Sequence, residues 1–224
     1  MKVRSKEYFE YLKKGYSKID KDKYYNRYIL SNIKKNFCIL DVGCGFGFLL
    51  QKLNNTIADL STIGIDINLY ALKYAQKIMP KTHLIEAVAD KLPFSDKKFD
   101  AIFATDLIEH LQNPSAFLKA AHRILKDDGK LILSTPDRFS IYLVPGKNII
   151  EQLLFNILRI LGVTKIDPTH KKEFTIQELS QLLSLNGFYI ENCNGYRIRF
   201  IPYHNKESMI ACSRKKNLKS NKRL

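Results

Sequence analysis

Short, almost continuously apolar runs recur along the first two thirds of the chain, and stretches with helical spacing separate them. Phe37-Cys38-Ile39-Leu40-Asp41-Val42 is the first run and ends in glycines. Others are Thr62 to Ile67, His83 to Ile85, Ala101 to Ala104 and Lys130 to Ser134. Such runs, without polar alternation, are what a strand buried on both faces requires. Between them, Leu69, Leu72, Tyr74, Ala75 and Ile78 fall on one helical stripe before Pro80. Ala116, Phe117, Ala120, Ala121, Ile124 and Leu125 form another, which ends before Gly129. Strands alternating with helices predict βαβ units, hence an α/β fold built on a mostly parallel sheet.

The flanks break this rhythm. Tyr8, Leu12, Tyr16 and Ile19 predict a helix, and Tyr24 to Lys35 a second, so residues 1–36 read as a helical N-terminal cap. After residue 136 the alternation lapses, and residues 137–175 read as a lid inserted into a domain spanning 37–213. Within the lid Ile149, Ile150, Leu153, Leu154, Ile157, Leu158 and Leu161 form a broad apolar helix face. Asn148, Gln152, Asn156 and Arg159 oppose it, with Phe155 misplaced in their sector. That face is expected either to favour an acceptor with a hydrophobic body or to pack as an ordinary lid. Thr175-Ile176-Gln177-Glu178 is a capping box opening a helix that Asn186-Gly187 ends. Phe188 to Ile190 and Met209 to Ala211 read as closing strands, with Gly195 marking a turn between them.

Composition excludes more than it identifies. With 224 residues, 45% hydrophobic and 26% charged, the chain can bury one ordinary core and is not disordered throughout. No apolar run reaches the length of a membrane span, and the N-terminus lacks the apolar centre of a secretory signal. Its four cysteines show no CxxC spacing, so neither a zinc knuckle nor a disulfide framework is expected, and the protein reads as cytoplasmic. The formal charge of +15 is uneven. Residues 1–36 carry 11 basic and 4 acidic groups, and residues 214–224 carry 6 basic and none acidic. The stretch between is only +2. Such ends read as solvated tails; their basic charge also suits phosphate backbones or anionic lipid.

The chemistry lies where the first strand gives way to the first helix. In Asp41-Val42-Gly43-Cys44-Gly45-Phe46-Gly47 the glycines stand two apart, which is not the GxGxxG dinucleotide fingerprint. They let backbone pass close under a ligand, beside the unpaired N–H groups of a helix start. Asp66 ends the next strand, where an acid can accept both ribose hydroxyls of a nucleoside. Ala87-Val88-Ala89-Asp90-Lys91-Leu92-Pro93-Phe94 follows the third strand, Phe99-Asp100 opens the fourth, and Thr105-Asp106-Leu107-Ile108-Glu109-His110-Leu111 leaves it. Gly129 to Ser134 is the fifth strand.

This ordered set resembles the class I S-adenosylmethionine-dependent methyltransferases, and most of all their small-molecule subfamily, which includes the ubiquinone-biosynthesis O-methyltransferases. The resemblance implies a Rossmann-like sheet of seven strands with helices on both faces. It implies S-adenosyl-L-methionine as cofactor and a small-molecule acceptor, methylated at oxygen. By the same resemblance Asp41, Gly43, Cys44, Gly45 and Gly47 pass the methionine portion, Asp66 and Ile67 hold the ribose, and Thr105 and Asp106 face the methyl group. Val88, Ala89 and Asp90 frame the adenine. The family usually has Asp where Val88 stands. Either Asp90 replaces that contact, or backbone near Ala89 and apolar packing hold the base.

Asp106-x-x-Glu109-His110 resembles a group linked to magnesium in the ubiquinone enzymes, although the same Glu-His-Leu recurs in relatives without metal. His122 reads as an ordinary helix residue. His170, in the polar loop Asp167 to Phe174, is the catalytic candidate, since a histidine removes a hydroxyl proton near neutral pH. Its alternative is a structural tie between that loop and the sheet. Two other functions fit the pattern less well. A wobble-uridine tRNA methyltransferase would share the Leu-Pro-Phe to Phe-Asp signature and suit the basic ends, but no RNA-binding domain is appended. A binding protein without catalysis would be free to lose the glycines and Asp66.

Overall fold

The computed structural model describes residues 4–16, 30–138, 148–161, 163, 169–197 and 207–215. Five parallel strands are joined by helices in chain order: β1 (Cys38–Val42), α2 (Phe48–Thr56), β2 (Ser61–Asp66), α3 (Leu69–Ile78), β3 (His83–Glu86), β4 (Phe99–Thr105), α4 (Pro114–Ile124) and β5 (Leu125–Pro136). Helix α1 (Lys6–Tyr16) precedes them, and α5 (Ile149–Ile160), α6 (Ile176–Leu185), β6 (Phe188–Arg197) and β7 (Glu207–Lys215) follow. The sheet runs β3-β2-β1-β4-β5-β7-β6, with β7 antiparallel to both neighbours.

Strand alternation divides the core. Leu40, Val42, Ile63, Ile65, Ile102, Ala104, Leu131 and Leu133 point to the face covered by α4 and α6. Ile39, Ala101, Phe103 and Ile132 point to the face covered by α2 and α3. Successive side chains leave a strand on opposite sides, so strands covered on both faces must be apolar at every position. That requirement produced the uninterrupted runs. The ends of the helices are equally local in origin. Asn68 accepts the N–H groups of Tyr70 and Ala71 at the start of α3. Asn113 accepts that of Ala116 ahead of α4, where Pro114 occupies the position that needs no donor. The capping box of α6 is complete, with Glu178 N–H donating to Thr175 and Thr175 N–H to Glu178.

The flanks depart from expectation in four places. Of the helix expected over Tyr24 to Lys35, the described part is a single 3-10 turn at Leu30–Asn32, and Asn36 takes a left-handed φ of 65° that forbids its continuation into β1. Gly195 is no turn: it pairs with Met209 inside β6, because ladder hydrogen bonds need no side chain and pairing extends on both sides. Arg214 and Lys215, counted with the basic tail, pair with Lys130-side and Phe188-side residues as the end of β7. The remaining tail lies outside the described residues.

The fourth departure concerns α5, which is inverted. Ile149, Ile150, Leu153, Leu154 and Ile157 are exposed, whereas Asn156 and Arg159 are buried, Arg159 completely. Phe155, the apparent misfit, lies half-buried on this inward side. Arg159 Nη1 donates to Glu173 Oε2 at 3.0 Å and to the Asp137 carbonyl at 3.1 Å. A buried guanidinium with a matching carboxylate outweighs the preference of the aliphatic face, because withdrawing either charge leaves the other stranded. Arg159→Ala is therefore expected to destabilise the protein by about 3–5 kcal/mol. Leu153→Ala on the same helix should cost less than about 0.5 kcal/mol. Urea unfolding midpoints of the two variants check this.

Candidate active site

The order of the sheet selects the place. Chain order runs outward from β1 to β3 and then crosses back to β4, so a crevice opens between the carboxyl ends of β1 and β4. The loops that carry Gly43 to Gly47, Ile67, Val88 to Asp90 and Asp106 leave the sheet at this edge.

Gly43 and Cys44 N–H both donate to the Ile65 carbonyl, at 2.8 and 2.9 Å, which folds the loop after β1 against the end of β2. Asp66 Oδ2 accepts from Gly45 N–H at 2.8 Å and Oδ1 from Asn68 N–H at 2.7 Å. Gly45 has φ +52° and Gly47 +76°, conformations that suit glycine. Their surroundings differ. A Cβ on Gly47 would collide with Met79 and crowd Ala75, whereas one on Gly45 would meet no protein atom within 4 Å. Gly47 is thus glycine for packing, and Gly45 borders open space. Phe46 turns away from the crevice to pack on Phe9 of α1, at 5.3 Å between centroids, and Asn68 Nδ2 donates to Ser5 O. These contacts bring the N-terminal helix against the loop.

Two carboxyl groups and a thiol lie close together at this loop. Asp41 is 1% exposed, and its Oδ1 accepts no hydrogen bond from the described residues. Burial, and then the charge of Asp66, push its carboxyl up to about 8. Burial also raises Asp66, against the lowering effect of N–H groups from Asn68, Gly45 and Ile67. The Cys44 thiol is driven well above its ordinary value by burial and then by Asp41 and Asp66, so it is no nucleophile.

The other candidates gather around this loop. Ala87 N–H donates to the Asp66 carbonyl at 3.1 Å and Lys91 N–H to Val88 O at 3.2 Å, setting the turn after β3 beside Asp66. Val88 and Ala89 are half-buried there and Asp90 is exposed. Thr105 ends β4, and Asp106 follows in a left-handed conformation at φ 49°. Its N–H donates to Ser134 O and Oγ, and Ser134 Oγ donates back to Asp106 Oδ1 at 3.1 Å.

A second cluster forms where the loop after α5 meets the turn after β4. Lys171 and Lys172 N–H donate to the Glu109 carbonyl, and Arg138 N–H donates to Phe174 O. His170 is buried, its Nδ1 is 3.4 Å from Glu173 Oε1, and its ring meets that of His110 edge-on at 4.8 Å. His110 Nδ1 lies 3.1 Å from Thr169 Oγ1. Ligand atoms of Glu109, His110 and His170 fall within 4.8 Å of one another, a set a divalent cation could use. Asp106, grouped with Glu109 and His110 in the sequence, is exposed and lies outside that set. His122 packs edge-on against Phe188, as an ordinary helix residue does. Sequence spacing had offered no sign of Glu173 or Arg159, because an ion pair 14 positions apart has no local period.

A carboxylate buried with an unused oxygen, a second one at the end of β2 and open space over Gly45 fit the ribose and the cationic methionine end of S-adenosylmethionine. Comparison with known proteins agrees. The family model described as a methyltransferase domain matches residues 40–133. An uncharacterized protein of Methanocaldococcus jannaschii is 36% identical over 216 residues, covering 90% of this chain and 82% of its own. The mitochondrial ubiquinone biosynthesis O-methyltransferase of Rattus norvegicus is 29% identical, over 70% of this chain and 46% of that enzyme, so the chain spans about half of that relative's length. A S-adenosylmethionine-dependent methyltransferase structure from Methanosarcina mazei superposes with a TM-score of 0.68 at 20% identity, covering 85% of this chain and 97% of that one. The chain belongs to the class I S-adenosylmethionine-dependent methyltransferases. It is an enzyme, and S-adenosyl-L-methionine is its cofactor.

The raised carboxyl of Asp41 has a consequence for stability. The folded protein holds this proton up to about pH 8, whereas an unfolded Asp releases it near 3.8. Between those values the folded state binds the extra proton, so stability falls as pH rises through the window. The thermal midpoint of the cofactor-free protein should decline from about pH 5 to about pH 8.5, and Asp41→Asn should flatten that decline. Calorimetric scans across pH read it directly.

Proposed function

We propose that the enzyme methylates a hydroxyl oxygen of a small-molecule acceptor, and that His170 is its general base. The observation that carries this reading is the buried His170–Glu173 pair at the carboxyl edge of β4 and β5. A base needs an orienting partner within hydrogen-bond reach, and Glu173 stands in that relation to Nδ1. Arg159 in turn holds Glu173 from behind. The printed activity of the rat relative, O-methylation in ubiquinone biosynthesis, supports oxygen as the acceptor atom.

On this reading Asp66 accepts the ribose hydroxyls, using the lone pairs left after its backbone hydrogen bonds. Asp41, with Gly43, Cys44, Gly45 and Gly47, borders the methionine end, and Ile67, Val88, Ala89 and Asp90 flank the nucleoside. Thr105 and Asp106 face the acceptor side. The bound cofactor supplies a methyl group on a sulfonium, already a strong leaving group. What remains for the protein is to orient the hydroxyl, exclude water and take its proton. His170 takes it at Nε2, while Glu173 steadies the ring through Nδ1 and stabilises the imidazolium that results.

Two measurements test this. Asp66→Ala should weaken S-adenosylmethionine binding by about 1.5–3 kcal/mol in calorimetry, and unchanged affinity in a folded variant removes the ribose assignment. With an acceptor found by metabolite-library turnover and mass spectrometry, His170→Ala should lower kcat by about 10²–10⁴-fold with little change in cofactor affinity. Near-normal kcat and an unaltered pH–rate profile would leave His170 as a structural residue.

A further inference from the structure

Asp41 and Asp66 stand near the carboxyl ends of two adjacent strands, and the backbone serves them unequally. Asp66 accepts N–H groups from Gly45 at 2.8 Å and Asn68 at 2.7 Å, and Ile67 adds to them. Asp41 is buried, and its Oδ1 accepts no hydrogen bond from the described residues. Two neighbouring buried carboxyl groups do not both ionise unless a cation joins them, and the one with more donors keeps the charge. In the cofactor-free protein that one is Asp66, and Asp41 holds a proton.

The elements around Asp41 bring no countercharge to it. Ile39, two residues earlier, points to the face covered by α2 and α3, and strand alternation sends Asp41 the same way. The helices line that core with Leu49, Leu50, Leu53, Leu72 and Ala75, while Tyr74 of α3 turns to Phe46. On β4, Phe103 lies beside Asp41 in register, and Asp106 beyond the strand is exposed, its carboxylate accepting from Ser134. The Cys44 thiol of the loop stays protonated, because burial and both acids raise it. Among the described residues the charge that acts on Asp41 is that of Asp66, which has the same sign. A cation has to arrive with the ligand, and Gly45 borders the open space that would admit it. S-adenosylmethionine carries two. Its sulfonium has no hydrogen to donate, whereas its α-ammonium has three.

We propose that Asp41 receives the α-ammonium of the bound cofactor and loses its own proton in doing so, one proton leaving for each cofactor bound. The neutral carboxyl becomes a carboxylate, the ammonium keeps its three hydrogens, and the proton passes to the buffer. This rests on the placement of the methionine end beside Asp41, and is independent of the acceptor and of His170. The sign follows from the two states. Without cofactor Asp41 keeps its proton up to about pH 8, and an adjacent cation lowers that limit. Release is therefore nearly complete below it and fades above, where the carboxyl is already ionised. Cofactor affinity rises with pH over the same range, by up to about tenfold per pH unit. Acidification loosens the product as well, since S-adenosylhomocysteine retains the ammonium.

Titration calorimetry of the full chain at about pH 6.5, where a free α-amino group is already charged, reads the proton directly. In buffers of different ionisation enthalpy, the apparent enthalpy of S-adenosylhomocysteine binding should vary with a slope of about one proton released. S-adenosylmethionine should give the same slope. From about pH 6 to about pH 7 the dissociation constant of either should fall about tenfold. Asp41→Asn keeps the shape of the side chain and should release no proton, bind with an affinity that ignores pH, and be about tenfold weaker than wild type at about pH 8. No buffer dependence in the wild-type protein overturns the inference. In that case weakened binding by Asp41→Asn still upholds the placement of the methionine end. A variant that binds and releases a proton as the wild type does overturns that placement too. A slope seen with S-adenosylmethionine alone makes the sulfonium the partner and overturns the assignment to the ammonium.

Discussion

A carboxylate accepting two backbone N–H groups holds the functional edge of this molecule together. Asp66 receives Gly45 at 2.8 Å and Asn68 at 2.7 Å, and so joins the loop after β1 to the turn that opens α3. The Ile65 carbonyl adds a second tie, accepting Gly43 and Cys44 N–H. Hydrogen bonds to an ionised acceptor are among the stronger ones, and this one is made where burial opposes ionisation. The result is a loop whose backbone path is decided by a side chain 21 residues away.

Around that link the site is assembled by topology rather than by proximity in sequence. The crossover from β3 to β4 puts Thr105 and Asp106 one strand away from Asp41. The loop at 169–174 then reaches the same edge by pairing Phe174 with Asp137 and by donating to the Glu109 carbonyl. Buried acids on one side and a histidine–glutamate pair on the other are thereby held on a rigid sheet, which is the arrangement a transfer reaction between two bound molecules needs.

The stretch between β5 and α6 shows how tertiary electrostatics override an amphipathic pattern. A hydrophobic stripe normally turns inward because burial of aliphatic surface is favourable. In α5 the competing term is the Arg159–Glu173 pair, closed off from solvent and tied further to the Asp137 carbonyl. Glu173 sits on a segment tied to the end of β5, so α5 turns Arg159 inward to meet it and exposes its aliphatic side. A single buried charge pair thus sets both the partner of His170 and the character of the outer surface.

Much of this was written locally. Uninterrupted apolar runs dictated five parallel strands, since a strand covered on both faces tolerates no polar alternation. Glycines at positions needing positive φ, the asparagine caps and the Thr175–Glu178 box marked where helices begin, because each satisfies backbone groups within a few residues of itself. The acids Asp41 and Asp66 were recognisable because they end strands beside glycines. Other features had no local trace. Gly195 looked like a turn because its strand partner, Met209, is decided only when β6 and β7 pair. The substitution of His170 for Asp106 beside Glu109 and His110 depends on a loop docking 59 or more residues away. The outward aliphatic face of α5 depends on one ion pair between segments that spacing cannot relate. Periodicity reports which side of an element is apolar; only the packed structure, where desolvation and pairing of distant charges are settled together, decides which side is buried.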